Sequence, residues 1–180
     1  MKQRFTAKKI AFAAAALALA VIMSLIRVYT LPMGGEVTLF SMLFVTLIGY
    51  CFGPWLGIGG SIIYGLLQFI INPFFYSFPQ FICDYILAFG CLGLSGFFAS
   101  KKHGLKTGYL AAIAGRFIFS FLSGIIFFAD YAQGSGHGAV VYSILYNGSY
   151  IGVEGLATMI VLFIPPVDSA LKRIKKTALI

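Results

Sequence analysis

Apolar runs of roughly the ~20 residues that cross a bilayer as a helix follow one another from Lys8 to Ile164, separated only by short breakers. The runs cover about Lys8–Tyr29, Val37–Phe52, Trp55–Ile71, Gln80–Ser100, Gly108–Phe128 and Val140–Ile164. Their boundaries are Leu31-Pro32-Met33-Gly34-Gly35, Gly53-Pro54, Asn72-Pro73, the basic stretch Lys101 to Thr107, the polar stretch Ala129 to Gly138, and Pro165-Pro166, all combinations that stop helices. With 60% apolar and 10% charged residues in 180, against about a quarter charged in a soluble domain, a water-facing globule is excluded. The expectation is an all-α integral membrane protein: a six-helix bundle forming a single domain over residues 1–180, without internal repeat or linker.

Charge sets the expected orientation. Eleven of the thirteen Lys and Arg residues fall in three segments: Lys2, Arg4, Lys8 and Lys9; Lys101, Lys102 and Lys106; and Lys172, Arg173, Lys175 and Lys176. Short loops rich in Lys and Arg stay on the cytoplasmic side, and six crossings place all three there, with both termini. A nucleic-acid arm would not split its charge between apolar runs. The net charge of +8 therefore reports topology, and no nucleic-acid partner is expected. Met1 to Lys9 followed by an apolar stretch imitates a secretion signal, but the run continues past Ala16-Leu17-Ala18 to Tyr29, too far for a cleaved leader. A retained first helix is expected.

Catalytic signatures are missing from the sequence. Cys51, Cys83 and Cys91 lie within apolar runs, far from His103 and His137, which argues for buried thiols rather than zinc or disulfides. There is no phosphate-binding loop and no paired-His motif, so neither ATP hydrolysis nor metalloprotease chemistry is expected. No enzyme activity, metal or cofactor is anticipated.

Polar groups inside apolar runs are costly and mark function by default. Of the five acids, Asp168 adjoins the last basic segment, while Glu36, Asp84, Asp130 and Glu154 map to the outer half of the bundle. Such a set suits a cationic or multiply hydrogen-bonding solute; the plainer reading is acids at helix N-termini in the headgroups, which is preferred for Asp130. Glu154 is a candidate ion-pair partner for Arg116. Seven of ten tyrosines (Tyr29, Tyr76, Tyr85, Tyr131, Tyr142, Tyr146, Tyr150) fall on the same side, as an interfacial belt or as ring faces for a ligand. Ala7, Ala11 and Ala15 form a small-residue stripe on the first helix, the pattern that lets membrane helices approach closely.

Several blocks, in order, resemble thiamin-specific S-components of energy-coupling factor (ECF) transporters: Leu31 to Met42, Tyr64-Gly65-Leu66-Leu67-Gln68, Asp84 to Phe89, Gly115-Arg116-Phe117 with Ser123 to Phe128, and Tyr142 to Gly148. The resemblance implies a substrate-capturing subunit in the cell membrane of a bacterium. It would work with a separate transmembrane coupling subunit and two cytoplasmic ATPases. Glu36, Tyr64, Asp84, Tyr85, Phe128, Tyr142 and Asn147 would line the thiamin pocket, and the Ala7/Ala11/Ala15 stripe would contact the coupling subunit. Related sequences commonly have Glu at Asp84, Trp at Phe128 and His at Ser120, a further pocket position. The alternatives are a subunit for a related vitamin or pyrimidine precursor, and a membrane scaffold with merely interfacial acids.

Overall fold

The computed structural model describes residues 6–179; Lys2 and Arg4 of the first basic segment, and Ile180, lie outside the described residues. Helix α1 spans Ala7–Leu25, with Thr6 accepting from the Lys9 amide at its N-terminus. It stops short of the expected end at Tyr29, because Arg27–Thr30 is a strand, β1, paired antiparallel with β2, Glu36–Thr38. Val28, Tyr29, Thr30, Val37 and Thr38 are β-formers, and Gly34 takes the left-handed φ of +87° needed in the turn between the strands. The hairpin also displaces the second helix. Val37, expected inside it, is a strand residue, and α2 covers only Ser41–Phe52 after Phe40 turns the chain in a left-handed conformation.

Helix α3 is Pro54–Ile71, α4 Phe78–Phe98, α5 Gly104–Phe127 and α6 Ala139–Phe163, joined by short turns. Helix α4 is irregular: residues Ile82–Leu87 form a wide π-type stretch and Cys91–Phe98 a tight 3-10 one. Residues Gly148–Gly152 of α6 form a second π stretch. A last helix, α7, spans Pro165–Leu179 and turns 89° from α6. Pro165 and Pro166 thus end one helix and open the next, where a proline's missing N–H costs nothing. Lys175 on α7 donates to the Ala99 carbonyl at 2.6 Å and lies 3.9 Å over the Tyr50 ring, so the middle and final basic segments share one end of the bundle.

α1, α3, α4 and α5 are each long and apolar enough to cross a membrane, and the bent pair α6–α7 supplies a fifth candidate span. α2 differs from the expected full crossing. Its 12 residues measure about 18 Å, well short of a ~30 Å hydrocarbon core, and nearly all of them are buried by neighbouring helices. Backbones touch where α2, α3 and α4 meet. A Cβ on Gly57 would lie 2.6 Å from Gly49 Cα and 2.9 Å from the Gly93 carbonyl, so side chains are excluded from this crossing, as in close-packed membrane helices. The outer surfaces carry exposed Ile22, Trp55, Ile70, Ile126, Leu156 and Ile160, the apolar coat that lipid requires.

Candidate functional site

At the end of the bundle that carries the β1–β2 hairpin, a cavity of about 140 Å³ opens between all six bundle helices. Every pocket residue expected from sequence lines it: Glu36, Tyr64, Asp84, Tyr85, Ser120, Phe128, Tyr142 and Asn147. They arrive from β2 and from α3, α4, α5 and α6. Neighbouring residues Asp84 and Tyr85, which both reach this space, lie in the π stretch of α4, a local widening that recurs at functional sites.

The acids are held differently. Glu36 Oε1 pairs with Arg27 at 3.0 Å and accepts from Asn72 Nδ2 at 2.9 Å, tying the hairpin to the end of α3. Burial lifts the Glu36 carboxyl above its ordinary value, with Arg27 and Asn72 pulling the other way. Asp84 accepts from Gln80 Nε2 at 2.6 Å, one helical turn earlier. Gln80 is in turn anchored by its contacts to the 74–77 loop. Asp130 is exposed on the turn Ala129–Ala132 and outside the cavity, and Glu154 lies behind its wall, so two acids line it, not four.

Glu154 departs most from expectation. It is 3% exposed, yet it makes no ion pair with Arg116. Its carboxylate instead accepts from Thr38 Oγ1 at 2.7 Å, Ser41 Oγ at 3.0 Å and the Met42 amide at 3.0 Å. It therefore caps the open N-terminus of α2, where N–H groups and the helix dipole favour an anion, and fixes two cavity residues, Thr38 and Ser41. Arg116 lines the cavity, with its guanidinium 4.3 Å from the centre of the Phe89 ring.

Aromatic side chains form the rest of the wall. Phe128 meets Phe74 and Tyr76 at 5.8 Å and Tyr131 at 6.1 Å, while Tyr142 stacks on Tyr146 at 6.0 Å. Tyr85 stacks on Phe89, and Tyr64 meets that ring edge-on. Of the outward tyrosines, Tyr85, Tyr142, Tyr146 and Tyr150 line the cavity; Tyr29, Tyr76 and Tyr131 are exposed. Several polar groups are already committed. Asn147 Nδ2 donates to the carbonyls of Ser120 and Ser143, and its Oδ1 accepts from Tyr150. The Tyr146 hydroxyl donates to the Pro32 carbonyl and accepts from the Gly35 amide, fastening the hairpin turn to α6. Sequence reasoning missed Gln80, Phe89 and the lining roles of Arg116 and Tyr146. Gln80, four residues before Asp84, is the one whose spacing carried a signal.

Counted as ionised, the lining residues Glu36, Asp84 and Arg116 leave one negative charge, and Arg27 and Glu154, outside the lining, offset each other. Aromatic faces, hydrogen-bonding groups and a single surplus anion make a chamber for a small, flat monocation.

The fold and chamber define a small helical membrane protein built around a solute-binding site, a class whose work is transport rather than catalysis. Residues 10–174 match the family model described as thiamine transporter protein, and the chain belongs to that family. A curated relative, thiamine transporter ThiT of Bacillus subtilis (strain 168), is 33% identical over 147 residues, covering 74% of this chain and 76% of the relative. A solved structure of ThiT from Listeria monocytogenes superposes with a TM-score of 0.71 over 88% of this chain and 94% of that one, at 22% identity, a likeness of fold.

Proposed function

We propose that this protein captures thiamin in the chamber, as the S-component of an ECF importer in a bacterial cell membrane, and passes it inward with a separate transmembrane subunit and two ATPases. One observation carries the reading: eight residues chosen from separate stretches of sequence line a single cavity. Thiamin joins a permanently charged thiazolium, a neutral aminopyrimidine and a hydroxyethyl tail. Asp84 accepts from the amino group, while Tyr85, Phe128 and Tyr142 supply ring faces. Glu36 serves the thiazolium end with its negative charge. Asn147 acts there through Tyr150, whose hydroxyl it holds. The Ala7, Ala11 and Ala15 stripe, exposed along α1, is the face for the coupling subunit.

Binding of labelled thiamin to the purified protein in detergent tests this. Asp84→Asn should weaken binding roughly ten- to a hundredfold, the value of a buried charge-assisted hydrogen bond, while Asp130→Asn leaves it unchanged. Absence of thiamin binding would favour the scaffold reading. Unchanged affinity in both Asp84→Asn and Glu36→Gln would remove the acids from the site.

A further inference from the structure

Arg116 has no carboxylate partner and no hydrogen-bond acceptor among the described residues, although it lines the chamber. A guanidinium carries five N–H donors and no acceptor. Stacking on Phe89 satisfies its face but none of its edge. The acid that could have neutralised it, Glu154, is occupied by three donors at the start of α2. A donor array left open toward a binding chamber calls for an acceptor on the ligand.

We infer that Arg116 is the second half of a two-residue reader of the aminopyrimidine edge: Asp84 accepts from the exocyclic amino group, and Arg116 donates to the ring nitrogen beside it. This rests on thiamin being the ligand. Two features favour the pyrimidine end for Arg116. The thiazolium is cationic and its nitrogen has no lone pair, so a guanidinium beside it would be repelled and would find no acceptor there. The placement of α4 and α5 also brings the two side chains to one wall. Tyr85, next to Asp84, stacks on Phe89 at 6.4 Å, and Phe89 carries Arg116. Cys83, on the other side of Asp84, contacts the carbonyl of Phe119, three residues on from Arg116 in α5.

A carboxylate beside a guanidinium recognises donor-then-acceptor order along an edge. A ring that presents acceptor-then-donor puts its carbonyl against Asp84 and its N–H against Arg116, and two buried polar mismatches follow. Arg116 is thus a specificity-determining residue for 4-aminopyrimidines against 4-pyrimidones.

Dissociation constants for three ligands, measured on the wild type, Arg116→Met and Arg116→Lys in detergent, test the inference. The ligands are thiamin, its analogue with a ring carbonyl replacing the amino group, and an analogue with a pyridinium replacing the thiazolium. The wild type should prefer thiamin to the carbonyl analogue by at least roughly tenfold, the usual scale for an unpaired buried polar group. Arg116→Met should weaken thiamin and the pyridinium analogue together, roughly ten- to a hundredfold, and the carbonyl analogue less, so the preference collapses. Arg116→Lys should restore part of it through a single donor. Equal weakening of all three ligands by Arg116→Met, or no weakening, would overturn the inference, because a structural cation or a contact to the shared tail cannot sense the pyrimidine edge. A wild type that binds none of the three would overturn the thiamin reading itself, whereas thiamin binding with an unchanged preference in Arg116→Met overturns the Arg116 assignment alone. A ratio of constants within one variant does not depend on the fraction folded.

Discussion

Replacing Glu154 with Leu removes the one acceptor shared by Thr38 Oγ1, Ser41 Oγ and the Met42 amide. A hydrogen bond to a charged group contributes about 1.5–3 kcal/mol. The loss is not three times that, because the Thr38 and Ser41 hydroxyls, 2.8 Å apart, keep each other as partners. What remains is an orphaned backbone donor and a helix N-terminus without its anion in a buried site, costing about 2–4 kcal/mol. Glu154→Gln keeps the shape and one acceptor oxygen and should cost about 1 kcal/mol. For a chain of this size each kcal/mol corresponds to about 2–4 °C in Tm. Thermal unfolding in detergent, followed by far-UV circular dichroism, should therefore put Glu154→Leu roughly 4–16 °C below the parent and Glu154→Gln only a few degrees below. The Leu variant should also bind thiamin more weakly, since Thr38 and Ser41 line the chamber. A Leu variant melting within about 2 °C of the parent would refute the cap. Equal losses in both variants would show that negative charge, rather than acceptor geometry, holds α2.

The Glu36 carboxyl is lifted by burial, so it loses its charge at a higher pH than an ordinary glutamate. Thiamin affinity should fall as pH drops through that raised value, and Glu36→Gln should bind more weakly with that pH dependence removed; an undiminished acid limb in the variant would assign the titration elsewhere. Replacing Ala11 and Ala15 with Leu should abolish uptake in cells while leaving binding by the purified subunit intact, because both face outward on α1; lost binding would indicate misfolding instead. Ser120→His should be tolerated in thiamin-binding assays and tighten binding where the added ring reaches the ligand; a large loss of affinity would mean the chamber lacks room beside α5. Reporters fused after Ile180 or inserted at Lys102 should read cytoplasmic and one near Gly134 external; an external reading at Ile180 would end the six-crossing topology.

Sequence alone determined the membrane class, the breakers and the neighbourhood of the chamber. Apolar run length, Gly-Pro and Asn-Pro pairs and basic loops act locally, so they are legible without knowing what packs where. Helices α3 and α5 accordingly fall close to their expected bounds, and the ordered blocks that resemble the family pointed to the eight lining positions. Tertiary structure decided the rest. Arg27–Thr30 is apolar enough to extend a helix, and only pairing with Glu36–Thr38 makes it a strand. Glu154 and Arg116 look like partners in one dimension because they are opposite charges in adjacent helices. In three dimensions Glu154 faces the N-terminus of α2, and Arg116 faces Phe89 and the chamber. A buried charge takes the partner that helix rotation and depth bring to it, and neither quantity is written in the local pattern of residues.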